Sequence, residues 1–349
     1  MNNVAKYSFK KRVNALFSDG YIASLVVLAI TILVIMGIVK PRFVTVNNFF
    51  SMANQFPEYG IMSFGLMLTM MSGGIDLSVV SVANLAAICS AKVLLEIVPH
   101  DADISGALGG ILVIMLIAMA IGALCGVLNG FLVSKIGIPP MLGTLGSSQL
   151  FTGICIAITQ GKMVNGLPMA YSDFMTFRVF GVLPVVLIIF ILCVLVLSFL
   201  LTWTTFGSKL RMLGSNSKAA MFSGLKVDRV LIATHMLASI FASIAGLVML
   251  SNYNSAKADY GTSYSLLCIL IVVLGGVRPS GGFGKVSGVV LAIVILQMVS
   301  SSLNMFPTIS AFYRPLVWGA VLLVVMILDY YSDQRKNKIS AKGAVKSER

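Results

Sequence analysis

Uninterrupted apolar runs of about 20 residues constrain this chain more than any other feature. Coiled as an α-helix, such a run crosses the roughly 30 Å hydrocarbon core of a bilayer. Helices satisfy their own peptide groups there, where lipid offers no partner. Ten candidates stand along the 349 residues, at 21–39, 57–72, 76–98, 108–133, 138–159, 181–202, 230–250, 264–277, 286–304 and 312–330. Hydrophobic residues make up 58% of the chain and charged ones 11%, against about 45–50% and about 25% in soluble domains. A soluble fold lacks the charge to cover its surface at that composition. The sequence predicts an all-α polytopic membrane protein with about ten transmembrane helices. Its expected parts are a tail over 1–20, a transmembrane domain over 21–331 and a basic tail over 332–349.

The formal net charge of +13 invites a nucleic-acid reading, and its distribution rejects one. The basic residues sit in the tails and between runs, where membrane topology puts them. With the N-terminus cytoplasmic, ten spans return the C-terminus to the same side and place 18 of the 25 Lys and Arg there. The positive-inside rule favours that orientation, with both termini on the cytoplasmic side. Residues 21–39 are too long for a signal peptide's apolar region and lack a small-residue cleavage site, so the first span is read as retained.

Glycine and alanine recur at four-residue spacing in the fourth run (Gly106, Gly110, Ala118, Gly122, Gly126, Gly130) and the seventh (Ala238, Ala242, Gly246). Such stripes let helix backbones approach closely. The five cysteines lie inside apolar runs with no CxxC spacing and read as small buried hydrophobes. His100 and His235 are far apart, so no metal site is expected.

No GxSxG elbow is present. Gly281-Gly282-Phe283-Gly284-Lys285 falls short of a phosphate-binding loop, because Pro279 stands for its first glycine and Val286 for its Ser or Thr. The chain is therefore expected neither to be an enzyme nor to bind ATP itself. Polar residues within or beside the runs are few. Asn54, Asp76, Asn84, Asn129 and Gln149 are the candidates for a solute pathway, with Gln55 and Glu58 close to the first. Amides pair with sugar hydroxyls, but they also stitch helices together, and an Asp opening a helix also caps it. Two runs are abnormal. The second is broken by Pro57 and Glu58, and the eighth is short and ends in glycines, which points to a transporter's substrate region or to tilted helices without a ligand. Spans this poor in charge argue against ion coupling.

The long polar segment over 203–229 contains a short helix, capped by Ser215 or Asn216 and ended near Gly224. Ala219, Ala220, Phe222 and Leu225 give it an apolar side. It suits a lipid-surface helix or a docking point for a soluble partner.

Four motifs in order carry a family likeness. Gly73-Gly74-Ile75-Asp76-Leu77-Ser78-Val79, Asn129-Gly130 with Ile138-Pro139-Pro140 to Gly146, Phe206-Gly207 to Val227, and Gly275-Gly276 with Ser280 to Gly284 resemble the signatures of bacterial ABC permeases for ribose, xylose and galactosides. The likeness implies a vitamin-B12-importer-like fold with spans two to five and seven to ten as inverted repeats. It implies a dimer with a second permease copy or a homologous permease, and import of a monosaccharide or sugar-like solute. It also implies an ATPase subunit that binds ATP and Mg, and a solute-binding protein. The ATPase-coupling residues it implies are Phe206, Gly207, Arg211, Gly214, Asn216, Ala219, Ala220 and Gly224. The rival expectation is an ion-coupled secondary carrier.

Overall fold

The computed structural model describes residues 20–306, 310, 313–324 and 327; the expected tail 332–349 and all but Gly20 of the tail 1–20 lie outside them. Its helices are α1 (Gly20–Val39), α2 (Val46–Met71), α3 (Val79–Ile97), α4 (Ile104–Phe131), α5 (Pro140–Thr159), α6 (Met169–Thr176), α7 (Val185–Trp203), α8 (Thr205–Ser215), α9 (Ser217–Phe222), α10 (Val227–Tyr253), α11 (Tyr264–Leu274), α12 (Val286–Asn304) and α13 (Arg314–Val324). Each of the ten predicted runs holds one of them. Seven of the described helices are long and apolar enough to cross a membrane: α1, α3, α4, α5, α7, α10 and α12. The chain is an all-α polytopic membrane protein. Among the described residues two antiparallel pairs of two-residue strands decorate it, one joining Val164 and Asn165 to Ala256 and Ser255.

The second run departs from its predicted bounds. Pro57 was expected to break it, yet α2 runs 26 residues straight through Pro57. Proline forfeits one backbone bond inside a helix, and here Pro57 is buried with every residue after it to Met71. Packing on all sides holds the helix where propensity alone would stop it. The eighth run departs the other way. At 11 residues and 1.5 Å each, α11 covers about 16 Å and falls short of the hydrocarbon core.

Helix α10 is the centre of the packing, lying against α2, α3 and α4. The sequence stripes form these seams. A side chain on Gly122 would meet Ser239 O at 2.6 Å, and one on Gly130 would meet Ile232 Cα at 2.5 Å; one on Gly126 would strike His235 O and Met236 Cα. A Cβ on Gly65 of α2 would stand 2.5 Å from Ala238 O, and Gly246 faces the Ala83 backbone of α3. Helix α2 in turn packs on α11 and α12, so the contacts of α10 with α3 and α4 have counterparts in those of α2 with α11 and α12. Outside this core, α1 lies on α12, and α7 lies on α2 through Phe190, whose ring meets Phe56 edge-on at 5.0 Å.

Candidate functional site

At one end of the bundle three loops meet on glycines. Helix α2 ends at Met71, and Gly73 turns the chain back with φ +91°. The backbone N–H of Gly282, in the linker between α11 and α12, donates to Met71 O at 2.9 Å. Gly281 and Gly282 take φ of +87° and +82°, a region closed to most side-chain-bearing residues. A Cβ on Gly281 would stand 2.8 Å from Gly214 O and 2.9 Å from Gly73 N. A Cβ on Gly214 itself, in the last turn of α8, would collide with Met71 O and Gly282 N. Pro140, which opens α5, leaves no room for a side chain on Gly74. Residues from all four sequence motifs thus meet within one junction.

The segment that reaches this junction is two helices where the sequence predicted one. Helix α8 lies against α7 and α10, with Leu210 and Leu213 buried and Phe206 packed against the core. Gly207 abuts the Leu201 backbone, and the Arg211 guanidinium donates to Leu201 O. Asn216 caps α9 by accepting from Ala219 N–H at 3.0 Å, as the capping pattern predicts, and Gly224 follows the helix at φ +83°. The expected apolar side is divided. Ala220 is buried and Leu225 packs on the core, whereas Ala219 is exposed and Phe222 is 85% exposed. Six residues are too few to turn every apolar side chain to one face.

Beside the junction, Asp76 is fully buried. Its Oδ1 accepts from Ser78 N–H at 2.8 Å and from Ser78 Oγ at 2.6 Å, closing an Asx turn at the start of α3. Asn129 of α4 donates its Nδ2 to the same Ser78 Oγ at 2.7 Å. Asp76 Oδ2 and Asn129 Oδ1 are buried without a protein partner. The cap and the negative charge at a helix N-terminus explain why a carboxylate is tolerated here. Asp76→Asn keeps the shape and one acceptor oxygen. Its expected result is normal abundance in membranes with solute uptake reduced severalfold; full uptake would reduce Asp76 to a cap.

Further along α2 lies a second polar cluster. Glu58 Oε1 accepts from the hydroxyls of Tyr264 and Tyr253, the latter at 3.2 Å, and Oε2 accepts from Asn252 Nδ2 at 2.9 Å. Tyr59 donates to Gln297 Oε1, and Gln297 donates to Gln55 at 3.3 Å. Asn84 of α3 donates to the carbonyls of Ala258 and Tyr260, tying the α10–α11 linker down. Two hollows, of about 420 and about 390 Å³, lie elsewhere, between α1, α7 and α12 and between α4, α7 and α10. Their linings are mostly apolar and hold little that would orient a polar solute.

A sequence-family profile described as the permease component of branched-chain amino acid transport systems matches residues 48–328. The chain belongs to this permease family. It is 32% identical over 314 residues to the autoinducer 2 import system permease protein LsrD of Photorhabdus temperata, covering 88% of this chain and 90% of that one. It is 33% identical over 304 residues to the ribose import permease protein RbsC of Bacillus subtilis (strain 168), covering 85% and 89%. LsrD of Escherichia coli (strain K12) is 30% identical over 314 residues, covering 88% and 91%. No solved structure matches.

This permease gathers its predicted pathway residues into two places and leaves one apart. Asp76 and Asn129 share Ser78. Asn54, whose carbonyl accepts from Asn252 at 3.2 Å, lies by Glu58, and Asn84 holds the linker on the same side. Gln149 is exposed on α5, away from both groups. Sequence reasoning passed over Asn252, Tyr253, Tyr260 and Tyr264. A signal was present: three of the ten tyrosines fall within 253–264, beside the one run too short to span.

Proposed function

We propose that this permease is the membrane subunit of an ATP-driven importer for a monosaccharide or sugar-like solute. The junction at Gly214 carries the reading. It joins a helical segment outside the spans to the end of α2 and to the α11–α12 linker, with no slack for independent movement. A partner that pushes on α8 and α9 therefore moves two spans at once. The exposed Met221 and Phe222 of α9 and the exposed Lys209 and Lys218 of the same segment suit a docked ATPase subunit, which would bind ATP and Mg, while Arg211 ties α8 to the Leu201 carbonyl. Phe206, Gly207, Gly214, Asn216, Ala219, Ala220 and Gly224 set the shape of that segment. The names of the relatives, import permeases for ribose and autoinducer 2, support the substrate class and the import direction.

Ten spans with both termini cytoplasmic put this segment on the ATPase side, in keeping with its basic residues. The matching contacts of α2 and α10 support an inverted repeat of the vitamin-B12-importer kind. On α5 the exposed residues Leu142, Gly146, Gln149, Gly153 and Ile156 follow a 4-3-4-3 spacing, the seam that a second permease copy would fit. An amide facing lipid is poorly solvated, so Gln149 suits that seam, where it would meet the solute only across the second copy, whereas Asn54, Asp76, Asn84 and Asn129 line the pathway within this chain. A solute-binding protein delivers substrate at the opposite face, and alternating access follows from closure of the ATPase.

Deletion of the cognate ATPase, with uptake of labelled pentoses and hexoses measured in cells, is the test. Loss of uptake is expected. Uptake that persists, or that runs in liposomes on this chain alone and collapses with an ionophore, would establish an ion-coupled carrier instead.

A further inference from the structure

Glu58 is a carboxylate within a span, 5% exposed, and neither ion pair among the described residues involves it. An intramembrane carboxylate persists only where its hydrogen bonds are supplied. Three neutral donors supply them, two of them hydroxyls. Tyr253 and Tyr264 reach the same oxygen and bond each other at 2.9 Å, while Asn252 holds the second oxygen. All three donors come from α10 and α11, so the carboxylate of one half of the fold is served by hydroxyls of the other. The donors form the rim of the cluster: Asn252 and Tyr253 are exposed, and Glu58 lies beneath them. Asn54 Oδ1 is buried close by without a partner, a second acceptor that no protein donor serves. Aromatic faces border the place. Tyr253 and Tyr260 stand 5.1 Å apart, and Tyr59 and Tyr264 stand 5.8 Å apart.

Resting on the importer reading above, we propose that Glu58 is the residue that selects the solute, accepting hydrogen bonds from a pair of neighbouring hydroxyls on a neutral polyol. In the structure the two tyrosine hydroxyls occupy those positions, with the Asn252 amide on the second oxygen. An incoming diol replaces the two tyrosine hydroxyls donor for donor while Asn252 keeps the second oxygen, so the carboxylate is never left bare, and the released Tyr264 unties the start of α11 from α2. A charged acceptor favours hydroxyl donors over a site that lacks one, because charge-assisted bonds are the stronger ones. By like-charge repulsion the same group disfavours solutes carrying a carboxylate or phosphate.

The test uses the complete importer in liposomes, with ATPase and with binding protein saturated by each sugar. The probes are D-ribose, D-xylose and D-galactose and their single-deoxy analogues. For the sugar that the wild type accumulates, Glu58→Gln is expected to lower uptake at least tenfold. It should also erase the preference over the deoxy analogue, while ATPase stimulation by the binding protein is kept. Tyr264→Phe retains the carboxylate and removes a competitor, so uptake is expected to stay or to rise. Undiminished uptake with unchanged deoxy preference in Glu58→Gln overturns the inference and leaves the importer reading standing. Should Glu58→Gln fail to reach the membrane, loss of uptake in Tyr264→Phe overturns it and retained uptake supports it. Absence of ATP-dependent uptake of every probe by the wild type overturns the importer reading and this inference together.

Discussion

Replacing Gly214 with valine is expected to abolish solute uptake, by at least a hundredfold, in a protein that still inserts. A single Cβ at this position meets two backbone groups, Met71 O and Gly282 N, and backbone yields far less readily than a flexible side-chain end. The first casualty is the Gly282 N–H···Met71 O bond of 2.9 Å, which binds the end of α2 to the α11–α12 linker. The helices are unaltered, so membrane abundance and detergent-solubilised size should match the wild type. Gly224→Ala, where a Cβ meets nothing within 4 Å, serves as comparison in the same segment, though its φ of +83° adds modest strain. ATPase stimulation by the binding protein is the accompanying readout. If Gly214→Val transports and stimulates normally, the segment over 205–222 is a surface helix pair with no part in turnover.

Gly126→Leu is expected to prevent assembly altogether. Overpacking a tight core costs about 1–3 kcal/mol and occasionally more. Here the added side chain drives into the His235 and Met236 backbone at the middle of the α4–α10 seam, where relief requires parting two of the most closely packed helices. Membrane abundance and gel-filtration profile in detergent should both collapse. Gly109→Leu, on the same helix but with nothing within 4 Å of its Cβ, should behave like the wild type. Comparable abundance of the two variants would show that the seam tolerates separation.

The helices were legible because hydropathy is a one-dimensional signal and lipid enforces it. Each predicted run carries a helix, and the stripes of glycine at 122–130 and of alanine and glycine at 238–246 lie on the seams that their spacing implies. What stayed hidden depends on three-dimensional neighbours. Nothing local says that α2 continues through Pro57, since the stabilisation comes from the helices around it. The Phe222 side chain reads as part of an apolar face until the six-residue length of α9 fixes its direction. Asp76 was found through its motif and its cost in lipid, and its bond to Ser78 follows from an Asx turn. Glu58 was visible as a charge, but its tyrosine partners lie about 200 positions away in the chain, beyond any sequence period. Gln149 illustrates the converse: its residue type suggested a pathway, whereas its exposure on α5 could be read only from the fold.

The seams of α10 have a mechanical corollary. Where glycine and alanine bring main chain onto main chain, neighbouring rods have no side-chain cushion to slide over, and α3, α4 and α10 turn as a single rigid block. The linker after the truncated α11 is held in the same manner, main chain on main chain: Gly275 abuts the Val289 backbone, and Gly281 leaves no room beside the Gly214 carbonyl. A displacement imposed on α8 is thereby handed on to α2 and α12 rather than absorbed between them.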